Sequence, residues 1–103
     1  MRPEIFVIVL NFNSGGETVG CVKSVRAARG GDSQILVVDN SSTDDSAELI
    51  KSLRFKGLKI LENKENLGYA GGNNVGIRAA LKNGADYILI LNPDVTLRKG
   101  AVA

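Results

Sequence analysis

The sequence has no histidine and a single cysteine, Cys21, in 103 residues. Without histidine there is no Ser-His or Cys-His nucleophilic pair and no imidazole-ligated zinc. One thiol builds neither a disulfide framework nor a thiolate metal site, so Cys21 reads as a small core residue. Long apolar runs are missing too. No stretch approaches the ~18 residues that span a bilayer. Ile5–Leu10 is too short for a signal peptide, and no small-residue cleavage site follows it. Excess charge of one sign is also absent: 13 Lys and Arg against 11 Asp and Glu leave +2, dispersed rather than blocked. That balance carries no electrostatic footprint for nucleic acid, and none is expected as a partner. The default expectation for compartment is the cytoplasm.

What is present suits one domain over 1–103, large enough to bury roughly 60–68% of its unfolded surface. Glycine, at 12 residues, is the one enrichment. The pattern alternates strand and helix. Ile5–Leu10 is a continuous β-branched run, as in a strand buried on both faces. Glu17–Arg29 follows with Val19, Val22 and Val25 at helical spacing, ending at Gly30-Gly31. Gln34–Val38 is a second buried strand. Ser42-Thr43-Asp44-Asp45 matches a capping box, and Asp45-Ser46-Ala47-Glu48 offers another one turn later. Either would open a short helix facing inward through Ala47, Ile50 and Leu53, or through Leu49 and Leu53. Leu58–Glu62 is a third strand with a more polar face, as at a sheet edge. Tyr69–Asn83 is a helix diluted by Gly71, Gly72 and Gly76 and stopped by Gly84 in a left-handed cap. Tyr87–Leu91 is the fourth strand.

This order, β-α-β-α-β-α-β, demands parallel strands joined by crossovers with helices on both faces. The expected fold class is α/β with strand order 3-2-1-4, half of a doubly wound sheet. The fourth strand is too apolar for a bare edge, and the chain stops at Ala103 where a further element would begin. We therefore expect an incomplete domain that self-associates through the fourth strand.

In such a sheet, ligands bind beyond the carboxyl ends of the strands. Each expected strand ends there in a polar cluster: Asn11-Phe12-Asn13, Asp39-Asn40-Ser41-Ser42, Glu62-Asn63 and Asn92-Pro93-Asp94. Asp39 suits a carboxylate accepting hydrogen bonds from a base or ribose, and equally suits a cap for its own turn. Asp94 is a candidate ligand for Mg2+ or Mn2+, which take few carboxylates when substrate phosphates complete the shell; an ordinary Asn-Pro-Asp turn is the alternative. Gly71 and Gly72, near a helix start, cost roughly 1 kcal/mol each relative to alanine. Close approach of a diphosphate or nucleoside to the helix N–H groups would explain them, and so would tight packing of helix on sheet. The segment is neither a P-loop nor a dinucleotide fingerprint. Arg78 and Lys82 read as a solvated helix face, and Tyr69 as either a stacking or a packing residue.

Four segments together, VIVLNFN at 7–13, VVDNSSTDDS at 37–46, NLGYAGGNN at 66–74 and LNPDV at 91–95, resemble family 2 glycosyltransferases of the Rossmann-like GT-A fold, most closely the rhamnosyltransferase-type branch. The resemblance covers nearly the whole chain and corresponds to the N-terminal half of the family's domain. It implies a nucleoside-diphosphate sugar donor, dTDP- or UDP-linked, with Mg2+ or Mn2+. It places Asn11 and Asn13 on the first nucleotide-contacting loop, Asp39 on the aspartate that holds the base, and Asn40 beside it. Gly71, Gly72 and Asn73 fall on the segment that closes over the nucleoside. Asp94 falls on the last aspartate of the metal-binding D-x-D element, with Asn92 at its first position, which lowers the charge there by one. The implied reaction is inverting transfer to an acceptor hydroxyl, of a polysaccharide or lipid-linked glycan, the parent being free to work at the cytoplasmic membrane face. The family's general base and acceptor region lie beyond the segments matched, so this chain alone is expected to be inactive. A nucleotide-sugar-binding module without turnover is the second reading. An α/β interaction or receiver-like domain is the third, though it has no use for the Gly-Gly-Asn-Asn segment or Asn-Pro-Asp.

Overall fold

The computed structural model describes residues 3–29 and 33–95. Seven elements alternate: β1 (Ile5–Asn11), α1 (Gly15–Arg29), β2 (Ser33–Asp39), α2 (Ser46–Lys51), β3 (Leu58–Glu62), α3 (Gly68–Lys82) and β4 (Tyr87–Leu91). The strands form one sheet in the order β3-β2-β1-β4. Every pairing is parallel, with Val7 opposite Ile35 and Leu89, and Val37 opposite Ile60. The expected topology is thus present, and the register aligns Asn11, Asp39 and Glu62 across one end of the sheet.

The strands are buried on both faces because their alternating side chains enter two separate cores. Val7, Val9, Ile35 and Val37 pack with Cys21, Val22 and Val25 of α1 and Ile50 of α2. Phe6, Ile8, Leu36 and Val38 pack on the opposite face, where Ala80 belongs to α3. Two glycines bring α3 down onto the sheet. A Cβ at Gly76 would lie 2.7 Å from the Ile8 Cγ2, and one at Gly72 would lie 2.5 Å from the Leu10 Cδ1. At Gly76 and Gly72, then, packing of helix on sheet accounts for the missing side chain. Gly84 (φ +86°) ends this layer in the left-handed conformation expected.

Two local expectations are corrected, and one choice between alternatives is decided. Helix α1 starts at Gly15 rather than Glu17, because Gly15 is pressed against α2. A Cβ there would meet the Ser46 Cα at 2.8 Å, and the Gly15 N–H donates to Ser46 Oγ at 2.9 Å. Neither capping box forms at α2. Asp45 holds the cap position without a side-chain bond, and Asp44 Oδ1 instead accepts the Ser46 N–H at 2.9 Å. Ser42 is engaged elsewhere, at the tip of β2. Of the two inward stripes considered for α2, the buried one runs through Ile50 with Leu53 partly covered, and Leu49 faces solvent. The Gly30-Gly31 stop and the chain end lie outside the described residues.

Candidate functional site

The carboxyl ends of the four strands form a polar rim, and its centre is a buried hydrogen-bond network. Asp39 is only 4% exposed. Its Oδ1 accepts the Asn11 Nδ2 at 2.8 Å and the Ser42 hydroxyl at 2.6 Å, while its Oδ2 accepts the Ser42 N–H at 3.1 Å. Each carboxylate oxygen accepts about two bonds, so Oδ2 keeps capacity for one more donor. Asn11, fully buried, completes its own set by donating to Ser42 Oγ at 3.1 Å and accepting from Thr18 Oγ1 at 2.6 Å.

Asn13 extends the network along the surface. It has φ +50°, its N–H donates to Ser42 Oγ at 3.0 Å, and its side chain exchanges bonds with Thr43 at 2.8 and 3.1 Å. Asn40 is also buried, and it turns toward the loop between β3 and α3, bonding Asn63, Asn66, Leu67 and Gly68. The residues expected at the first two clusters are therefore brought together. Asn11 and Asn40 spend their polar atoms on other protein groups.

Asn73 differs from them. It is 4% exposed, and its Oδ1 is a buried acceptor without a partner. Buried polar atoms are almost always satisfied, so this exception calls for an explanation, and a bound group is one. Gly71 and Gly72 precede it on α3, and a Cβ at Gly71 would come within 3.0 Å of the Leu67 Cβ. On the far side of the rim, Asn92 and Asp94 are exposed. The Tyr69 hydroxyl donates to Asn92 Oδ1 at 3.4 Å, joining the α3 start to the tip of β4. Arg78 and Lys82 face solvent, as expected.

Two ionisable groups show clear displacement. Burial pushes the Cys21 thiol up to about 11, and the negative field of Asp94 adds to it. Asp44 is held below the usual carboxylate value by the Ser46 side chain and then the Ser46 N–H.

Among the described residues no three His, Cys, Asp or Glu gather into a metal cage. While Glu62 at the tip of β3 is paired with Lys51, the donor set at the tip of β4 is one exposed carboxylate, Asp94, with the Asn92 amide nearby. That fits a hard divalent cation held mainly by a phosphate ligand, and not a resident structural metal. A cavity of about 470 Å³ lined by Glu4, Phe6, Lys59 and Asn83 opens at the amino end of the strands, away from every rim residue. Among the described residues, no helix is long and apolar enough to cross a membrane.

Sequence reading put Ser42 and Asn63 in the rim clusters without joining them to Asp39 and Asn40, and it missed Thr18. Thr18 had a signal, since it shares the Val22 and Val25 face of α1 as its one hydroxyl. Asn63 was signalled by its place at the end of β3 and Asn66 by its place in the 66–74 segment, but neither signal pointed to Asn40 as the partner.

A parallel sheet of order 3-2-1-4 with helices on both faces and a polar carboxyl rim is half of a doubly wound α/β fold, an architecture this chain shares with the GT-A glycosyltransferases among its structural neighbours. Residues 6–103 match glycosyl transferase family 2, and the chain belongs to that family. It is 32% identical over 100 residues to the low-salt glycan biosynthesis hexosyltransferase Agl10 of Haloferax volcanii, covering 96% of this chain and 30% of that protein. Glycosyltransferase GlyG of Streptococcus pneumoniae is 27% identical, with coverages of 99% and 34%. The chain thus spans about a third of these relatives. Among solved structures, the mannosyltransferase PcManGT of Pyrobaculum calidifontis, in complex with GDP-Man and Mn2+, superposes with a TM-score of 0.79 at 22% identity, covering 91% of this chain and 28% of that one. TarS 1–349 of S. aureus, in complex with UDP-GlcNAc, gives 0.77 at 24% identity, with coverages of 88% and 26%.

Proposed function

We propose that the rim binds the nucleoside diphosphate of a sugar donor, and that the whole protein transfers the sugar to an acceptor hydroxyl with inversion. The observation that carries this reading is the Asp39 carboxylate, fixed at the rim by Asn11 and Ser42, with the Asn73 Oδ1 on α3 as a separate buried acceptor. A carboxylate locked by three hydrogen bonds keeps one acceptor position free, and a buried amide oxygen waits unpartnered on the glycine-lined turn of α3. Nucleosides present N–H and O–H donors that suit both.

In this reading Asp39 orients the nucleoside, with Asn11 and Ser42 fixing its carboxylate. Asn13 and Asn92 border the donor, and the α3 start lies beside the diphosphate with its first-turn N–H groups. Asp94, with the diphosphate itself, would hold a Mg2+ or Mn2+ ion. Such an ion stabilises charge on a departing diphosphate. The nucleotide complexes of the structural neighbours support a nucleotide-sugar donor. The branch resemblance favours dTDP or UDP, and a rhamnosyl-type sugar. The acceptor we assign to the glycan class, and the working compartment to the cytoplasm. We extend the proposal to self-association of this chain through β4, where Tyr87 is 63% and Ile90 40% exposed.

The test is thermal unfolding with UDP, dTDP, GDP and CDP, each with and without Mn2+. A ligand at 100 times its Kd adds about 2.7 kcal/mol, which raises the midpoint of a domain this size by roughly 10 °C or more. A rise with a pyrimidine diphosphate supports the donor site. No rise with any nucleotide overturns it.

A further inference from the structure

Asn40 is 2% exposed, and every hydrogen-bonding position of its amide is filled from one short loop. Its Nδ2 donates to Asn66 Oδ1 and to the Gly68 carbonyl, both at 3.0 Å. Its Oδ1 accepts the Asn63 Nδ2 at 3.1 Å and the Leu67 N–H at 2.9 Å. An amide has two donor hydrogens and two acceptor positions, so nothing remains for a ligand. The same loop is tied down on either side of Asn40. Asp39 O accepts the Asn63 N–H at 2.8 Å, and Ser41, at φ +65°, donates its hydroxyl to the Lys64 carbonyl at 3.4 Å. Gly72 completes the contact, since a Cβ there would lie 3.0 Å from the Asn40 Nδ2.

The resemblance places Gly71, Gly72 and Asn73, which follow this loop on α3, on a segment that closes over a nucleoside. Here the loop that leads into that segment is fastened to the tip of β2 entirely by protein groups. Opening it would strand a buried amide together with two loop carbonyl or amide oxygens and two N–H groups, and satisfied buried networks resist such loss. We propose that Asn40 is a positioning residue, not a ligand contact, and that it latches the β3–α3 loop and the start of α3 in place, independently of the donor. This deepens the donor-site reading and rests on it for its functional meaning. A preformed rim spares the donor the entropy of ordering a loop.

The experiment is residue-resolved hydrogen exchange on this chain, free and with UDP, dTDP or GDP plus Mn2+, for the wild type and Asn40→Asp. The substituted carboxylate keeps the shape and the two accepted bonds, but turns an acceptor toward Asn66 Oδ1 and the Gly68 carbonyl. In the wild type the Leu67 amide is expected to be protected without nucleotide and to change little on saturation. In Asn40→Asp, exchange over 63–68 should accelerate about tenfold or more, the scale of one or two lost buried hydrogen bonds, while the β1 amides stay protected. The variant's nucleotide affinity should fall, and saturating nucleotide should restore loop protection, which a merely structural defect would not show. If Asn40→Asp does not fold, Asn66→Ala removes one latch bond from an exposed position and should give the same local pattern. A Leu67 amide that exchanges freely in the wild type and is protected only by nucleotide overturns the latch, as does unchanged loop exchange in the variants. If no nucleotide binds the wild type, the donor reading falls, and the latch is decided by the free-protein exchange.

Discussion

Asn11 donates its side-chain amide to Asp39 at 2.8 Å, so the tip of the central strand holds the carboxylate at the tip of its neighbour. The two residues sit opposite each other in the β1–β2 register. The link matters because both are buried, and because Thr18 from α1 fixes the other end of the Asn11 amide. A helix, two strands and the Ser42 turn therefore share one polar knot at the site.

Asn11→Ala should destabilise the chain by about 2–3 kcal/mol, since it strands the buried Thr18 hydroxyl and loosens Asp39. Thr18→Val should lose about 1–2 kcal/mol through one bond. Urea unfolding of both variants checks the order. Equal stabilities would mean that the knot carries no load.

Two glycines in helix interiors should respond in opposite directions. Gly76→Ala places a Cβ 2.7 Å from Ile8 and 3.0 Å from Val38, and should destabilise by about 1–3 kcal/mol through overpacking. Gly20→Ala on α1 meets nothing within 4 Å, and should stabilise by up to about 1 kcal/mol from helix propensity. Thermal midpoints of the pair decide the matter.

The Cys21 thiol should be nearly inert to a thiol reagent at pH 8 in the native chain and reactive in urea. Its pKa is raised from 9.0 to about 11 by burial and then by Asp94. The sign follows: the stability linked to this raised value is fully present below the unfolded thiol's value and is lost as pH rises through about 11. Asp94→Asn should bring the thiol pKa down, since it removes the adjacent negative charge. An unchanged titration would place Asp94 elsewhere.

The same Asp94→Asn variant should bind nucleotide equally with and without Mn2+, because the carboxylate proposed to hold the ion is gone. Fold stability should stay within about 0.5 kcal/mol, as for other exposed positions. Calorimetry of binding, alongside urea unfolding, separates these effects. Retained metal dependence would remove Asp94 from the metal's shell.

Strand β4 carries Tyr87, Ile88, Leu89, Ile90 and Leu91 without a charge, whereas the other edge, β3, carries Lys59 and Glu62, with Glu62 paired to Lys51 at 2.7 Å. Uncharged apolar edges invite pairing. Sedimentation of this chain should show a mass that rises with concentration, and Ile90→Lys should reduce it. A constant monomer mass would refute association through β4.

Strand order, the layer assignment and the four polar clusters were all legible in the sequence. Runs such as Ile5–Leu10 and Gln34–Val38 can be buried only between two helical layers, and parallel connection puts every strand's carboxyl end on one rim. Local signals misled where a side chain had two possible partners. Ser42 matches a helix cap, yet its hydroxyl serves Asp39, because a carboxylate in a buried knot is the stronger acceptor and the α2 start is held by Asp44. Gly15 looked like loop and is helix, because its backbone packs against Ser46. The sequence by itself determined which residues reach the rim, since hydrophobic periodicity sets strand ends. Only the tertiary structure decided that Asn11 and Asn40 are consumed within the protein while Asn73 is left unpartnered. Those fates depend on distances between segments far apart in the chain, and no local pattern encodes which of several asparagines meets which donor.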